Sequence, residues 1–179
     1  LAFMYLIFVA EIFLVVILIR QFWTIPQFMA LEHIADQKDL IRVENIIESK
    51  ISELALVNYD NAVWDDSYQF AVDGNEEFIE ENFVLDTYQS LDICGIYYYD
   101  LQGTLLWGLS YNRKNWQEID EPVLKRPPKW FKNNILISDA DVEQNGGRPV
   151  THKGLIFLNE RPVLFAATSI MPSEGVGTP

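Results

Sequence analysis

The sequence predicts an α+β protein: an N-terminal transmembrane helix continuing into a long helix, then an antiparallel sheet with helices packed on one face. Three observations carry this. The first nineteen residues, LAFMYLIFVAEIFLVVILI, are apolar except for Glu11. Apolar residues from Leu40 to Leu54 then recur at steps of three or four, the period of an amphipathic helix. The runs rich in β-formers come late in the chain, in pairs around turn residues. Helices first and paired strands afterwards is the α+β order, not the alternating order of a parallel α/β sheet. A chain of 179 residues suffices for one ordinary domain with a core, and no internal repeat is visible.

The opening run, at 1.5 Å per residue, makes roughly 28 Å of helix, about the thickness of a bilayer core. Arg20, Phe22 and Trp23 follow it and suit a lipid interface. A cleaved signal peptide is the competing reading, but the run is longer than an ordinary signal core and no A-x-A site follows. The expectation is a retained membrane helix over residues 1–24 and a folded head over 25–179. Glu11, costly in lipid, is expected to face another membrane helix. No Lys or Arg follows Arg20 for seventeen residues, which fits export of the downstream side.

Beyond Pro26, Leu40, Val43, Ile47, Ile51 and Leu54 form one stripe, and Leu40, Ile47 and Leu54 repeat by seven. That spacing is either a short coiled-coil seam or a face packed on the domain's own sheet. His33, alone on this helix, reads as a surface residue. A long helix joined to a membrane span would be a rigid rod able to carry a shift or rotation to the bilayer. DGNEEFIEENFVLDTYQSL then reads as a turn and a second, acidic helix. Asn75 is its N-cap, and Phe78, Ile79 and Phe83 lie on its buried side. ICGIYYYDLQGTLLWGLSYN is a hairpin turning at Asp100–Gly103. EPVLKRPPKWFKNNILIS is a Pro-punctuated connection with a short helix, and DADVEQNGGRPV is a loop. THKGLIFLNERPVLFAATSIM is a second hairpin bending at Asn159-Glu160-Arg161.

Charge excludes some partners. The net charge of −13 argues against nucleic acid, which demands surplus Lys and Arg. From Ile51 to Asn112 there are twelve Asp and Glu and no Lys, Arg or His, while six basic residues cluster between Arg113 and Lys132. The acidic half is either a solvated face answered by a basic loop or an attractor for a cation, an amine or a basic partner. The single Cys94 allows no internal disulfide and reads as a small core residue. No metal site and no cofactor are expected, because neither a calcium-loop pattern nor a His cluster occurs. An anchored enzyme would need a nucleophile–base pair. Two isolated histidines, no G-x-S-x-G and a core-like cysteine do not supply one.

The stretch DNAVWDDSYQF is the least ordinary. On a helix Trp64 and Tyr68 share a face, whereas Asp65 and Asp66 point about 100° apart and chelate one cation poorly. An Asp near the buried side needs amides, a hydroxyl or a ligand cation. It therefore either caps a neighbouring segment or meets a polar ligand beside an aromatic wall. Candidate ligand-binding residues are Trp64, Asp65, Asp66 and Tyr68. Tyr97 and Tyr99 join them, since alternate strand residues share a face and Tyr98 looks away. Arg148 and His152 are weaker candidates.

YDNAVWDDSYQF followed by GNEEFIEENF, with the closing SIMPSEGVGTP, resembles the signature of the type-four CHASE domain, a sensory module of bacterial and archaeal membrane receptors. The likeness covers roughly Ile34 to Pro179, and its most specific part is Trp64-Asp65-Asp66-x-Tyr68 with Asn75, Phe78 and Asn82. The resemblance implies a PAS- or Cache-like extracytoplasmic head that continues into a further strand and a second membrane helix. It also implies a cytoplasmic cyclase, phosphodiesterase or kinase output. It implies no enzymatic activity in this chain itself. The expected partners are a small ligand or a periplasmic protein, and a second copy in a homodimer. The alternative is a purely structural dimerisation module.

Overall fold

The structure is a computed structural model and describes residues 2–175. It divides into two compact units, residues 1–48 and 49–179. In the first, α1 (Ala2–Ile19) passes through a π-helical turn (Arg20–Thr24) into α2 (Ile25–Ala62), whose last turns belong to the second unit. Pro26 lacks an N–H and its ring crowds the preceding turn. The wider turn sits directly before it, with Ile25 N–H bonded to Arg20 O. This helix is long and apolar enough to cross a membrane. Leu40, Val43 and Ile47 of the apolar stripe are exposed within one chain, Leu40 by 70%. Ile51 and Leu54, in the second unit, are half-buried.

The second unit bears out the α+β class. After α2 come α3 (Asp65–Asp73), α4 (Glu76–Asn82) and α5 (Leu85–Ser90), then β1 (Gly95–Tyr99), β2 (Leu105–Asn112) and β3 (Gln117–Ile119). The short helices α6 (Pro122–Lys125), α7 (Lys129–Asn134) and α8 (Asp139–Gln144) lead to β4 (Thr151–Leu158) and β5 (Arg161–Thr168). The strands form two antiparallel sheets, β1-β2-β3 and β4-β5.

Several expectations change in detail. Helix α2 does not run through DNAVWDDSYQF. Val63 leaves it to make a parallel bridge with Met171, and Trp64 is extended (φ −143°, ψ 135°). Met171 N–H bonds Ala62 O at 3.1 Å, so the end of α2 is fixed by a residue far along the chain. The single acidic helix is two, α4 and α5; Asn75 caps the first, its side chain accepting from Glu77 N–H at 3.0 Å. The loop DADVEQ is the helix α8, held by a reciprocal Ser138–Asp141 capping box. Cys94 is exposed, not core, because it precedes β1 at the sheet margin.

The two hairpin turns form where expected. Asp100 Oδ1 accepts from Gln102 and Thr104 N–H, and Gly103 takes φ 70°. Asn159 and Glu160 both adopt positive φ, the two-residue turn whose twist suits a hairpin, while Arg161 already belongs to β5. The core is aromatic: Phe70, Phe78, Phe83, Tyr88, Tyr98 and Tyr111 are buried together. Phe78 alone has Trp64, Phe70, Phe83 and Tyr98 within 5.4–6.3 Å, mostly tilted or edge-on, the arrangement favoured by ring quadrupoles.

Candidate functional site

The six predicted residues do not converge. Trp64, Asp65 and Asp66 stand at the start of α3, where the break in the long helix leaves four N–H groups without intrahelical partners. Asp65 N–H bonds Ser173 Oγ at 3.1 Å, and Ser173 N–H returns a bond to Asp65 Oδ1 at 2.8 Å. This reciprocal clasp ties α3 to the segment after β5. Both carboxylates lie in the first turn of α3, where the helix dipole favours negative charge without any basic partner. Of the two roles open to an Asp here, capping a neighbouring segment is what Asp65 does. Trp64 is half-buried against Phe78.

The residue of this stretch that faces the core is Ser67, which is fully buried. Its hydroxyl bonds Asn61 O and lies 3.3 Å from Tyr98 Oη, joining α2, α3 and β1. Burial pushes the Tyr98 phenol up to about 12, partly offset by the Ser67 bond. Nothing in the spacing marked Ser67, since it stood between more conspicuous residues.

On β1 the alternation expected of a strand holds. Tyr98 meets Phe70 edge-on at 5.2 Å in the core. Tyr97 and Tyr99 are on the other side, their rings 6.3 Å apart and nearly parallel. Tyr97 lies flat across its cross-strand partner Gly108; a Cβ there would fall 2.1 Å from Tyr97 Cδ1, so only glycine fits. Its hydroxyl pairs with Ser110 Oγ, and Tyr99 Oη donates to Leu124 O of α6 at 2.6 Å. Phe131 of α7 packs beside Tyr99. Burial raises both phenols above the ordinary tyrosine range, so both stay neutral at physiological pH; the Ser110 bond tempers the rise at Tyr97. Helices therefore pack beside both faces of this sheet, where one covered face was expected: α3 and α4 on the Tyr98 side, and the short α6 and α7 on the Tyr97 and Tyr99 side.

Tyr68, Tyr97, Tyr98 and Tyr99 all line one cleft of about 1370 Å³ along the β1 edge, whose walls also include Asn58, Phe83, Ser110, Glu121, Phe131 and Arg161. Glu121 is 7% exposed and accepts from Arg161 and, at 3.3 Å, from Asn159 Nδ2. It thereby joins the β3–α6 turn to the tip of the second hairpin. Asn58 Oδ1 is buried and finds no partner among the described residues. These polar groups were missed because none belongs to a local motif. An isolated glycine inside a strand, Gly108, was the available signal of a close approach over β2.

Of the weaker candidates, Arg148 is exposed. His152 is half-buried, with Nδ1 3.2 Å from Ile135 O, and so ties β4 to the end of α7. His33 is exposed on α2. Among the described residues no three His, Cys, Asp or Glu come together as a metal site. The last four residues of the closing SIMPSEGVGTP, 176–179, lie outside the described residues.

The CHASE4 domain family matches residues 46–179. A curated relative, the methanogenesis regulatory histidine kinase FilI of Methanothrix harundinacea (strain 6Ac), is 24% identical over 131 residues. The match takes in 73% of this chain and 14% of that kinase, so the chain spans about a seventh of its relative's length. No solved structure matches. The family match covers the Trp64–Asp65–Ser173 junction, the aromatic core and both hairpins together, and on it the chain belongs to the CHASE4 domain family, a family of sensory domains found in receptors such as histidine kinases.

Proposed function

We propose that this chain is the extracytoplasmic signal-receiving part of a membrane-anchored receptor, with α1 as its membrane helix and α2 as the element that passes the signal on. The observation that carries the reading is the family match over the whole second unit, together with an apolar helix long enough to span a bilayer. The input site proposed is the Tyr97–Tyr99 face of β1. Two neutral phenols and Phe131 offer a stacking wall there. Ser110 and Glu121 offer polar contacts. A ligand drawing α6 and α7 toward β1 would favour one arrangement of the head over another. Leu40, Val43 and Ile47, exposed in one chain, are the proposed seam with a second copy, through which that arrangement would reach the membrane. The output would be cytoplasmic, as the word kinase in the relative's name suggests.

A specific observation favours a second reading, in which the head only sets dimer geometry: Asp65 is hydrogen-bonded to Ser173 and acts as scaffold. A thermal-shift screen of the detergent-solubilised chain with amino acids, polyamines, divalent cations and small carboxylates separates the two. A compound at a hundred times its dissociation constant adds about 2.7 kcal/mol, hence a rise of several degrees. Sensing predicts such a rise for one class; a geometry-only module predicts none.

A further inference from the structure

Among the described residues Glu121 is the one charged residue that is buried. Its carboxylate accepts from Arg161 and from Asn159 Nδ2, yet the Arg161 side chain is 58% exposed. The neighbouring Asp120 is answered separately, by Lys125 at 2.6 Å. The Glu121–Arg161 pair is therefore lopsided. A buried carboxylate left without a cation is costly, whereas an exposed guanidinium released to water loses little. Glu121 requires a positive charge, but nothing requires that charge to be Arg161. Arg161 also comes directly after Asn159 and Glu160, two non-glycine residues held at positive φ in the hairpin turn.

Beside this carboxylate lies a neutral aromatic surface. Gly108 lets the Tyr97 ring lie flat on the sheet, so its other π face looks outward, and Tyr99 continues that surface at an interplanar angle of 17°. Burial raises the Tyr97 phenol, and the Glu121 charge raises it further, so the carboxylate acts on this ring. A buried carboxylate next to π faces is the chemistry that holds an organic cation: the charge pairs with the carboxylate and the stem lies on the rings. A metal ion needs several oxygen ligands, and among the described residues no three His, Cys, Asp or Glu come together. An anion would meet the like charges of Asp120 and Glu121.

We infer that the proposed input site takes an organic cation, a protonated amine or guanidinium on a short apolar stem, whose charge replaces Arg161 on Glu121. The inference rests on the reading of the Tyr97–Tyr99 face as the input site. Binding would free Arg161 and Asn159, and with them the tip of the second hairpin, from the β3–α6 turn. Filling the site and untying that tip are then one event.

Butylammonium, butyrate and butanol share a stem and differ in the charge of the head. Titrating each into the detergent-solubilised chain at constant ionic strength, with melting temperature as the readout, tests the inference. The expected result is a rise with butylammonium and none with the other two. Glu121→Gln keeps the shape of the side chain and should weaken butylammonium roughly tenfold or more, the worth of a hydrogen bond to a charged group. Arg161→Gln removes the resident cation and should tighten butylammonium about fivefold, the upper worth of an exposed ion pair. A pair that only holds the fold would instead lower the melting temperature of both variants and leave both affinities unmoved. Equal responses to the three compounds, or weaker butylammonium binding in Arg161→Gln, overturn the inference. A rise with butyrate or butanol alone also overturns it and leaves the input-site reading standing. No rise with any of the three overturns it as well, and no rise across the wider screen above removes the input-site reading with it.

Discussion

The two faces of β1 are built from adjacent tyrosines and do different things. Tyr98 is buried among Phe70, Phe78 and Phe83, with Ser67 beside its hydroxyl. Tyr97 and Tyr99 stack on each other, are held by Ser110 and the Leu124 carbonyl, and meet Phe131 of α7. The first face is closed by rings packed against rings. The second is closed only by short helices, each of six residues or fewer. Rigidity on one side and thin cover on the other is what a sensing head requires, because local opening draws on the least packed elements.

Substitutions on the two faces should therefore differ in kind as well as size. Phe78→Ala empties the middle of the aromatic cluster and should cost about 3–5 kcal/mol in urea unfolding. Gly108→Ala sets a Cβ against the Tyr97 ring and should cost about 1–3 kcal/mol while displacing that ring. Its ligand response should fall further than its stability, which a titration against melting temperature would reveal. Ser67→Ala leaves the Tyr98 hydroxyl buried and unpartnered and should cost about 1–3 kcal/mol, with no effect specific to ligand. Asp65→Asn keeps a side-chain acceptor for Ser173 N–H and loses only charge at a helix N-terminus. About 0.3–1 kcal/mol is expected.

Alkali sharpens the same contrast. An acid whose pKa is raised in the fold holds its proton more tightly when native. Its contribution is complete below the unfolded value, near 10, and is lost as pH rises through the folded value. For Tyr98 that window runs from roughly pH 10 to about 12. Stability of the wild type should therefore fall more steeply there than that of Tyr98→Phe, by denaturant unfolding with phenolate absorbance as the second readout.

What was legible in the sequence was mostly local. The apolar opening run, the Asn75 cap, the Asp100–Gly103 turn and the alternation of Tyr97, Tyr98 and Tyr99 each depend on neighbours a few residues apart. The end of α2 was not legible, because Val63 is drawn out of the helix by Met171, more than a hundred positions later. The same holds for the Asp65–Ser173 clasp and the Glu121–Arg161 pair. A carboxylate pair beside aromatic residues looked like chemistry, and half of that pair is a long-range cap. Helix α8 is a different case: Ser138 and Asp141 spelled out its capping box, and the following glycines drew attention to a loop instead. Cys94 departs from the core reading because the apolar run DICGIYYY begins at a strand margin and turns inward from Ile96 onward.

The most direct test of the division between the faces is one ligand-induced melting shift measured on three proteins: wild type, Asp65→Asn and Tyr99→Phe. Tyr99→Phe removes the bond that holds α6 against β1 and leaves the core untouched. The account predicts that the shift survives in Asp65→Asn and is reduced at least severalfold in Tyr99→Phe. A shift lost in a folded Asp65→Asn and retained in Tyr99→Phe would contradict it, and would put recognition at the start of α3.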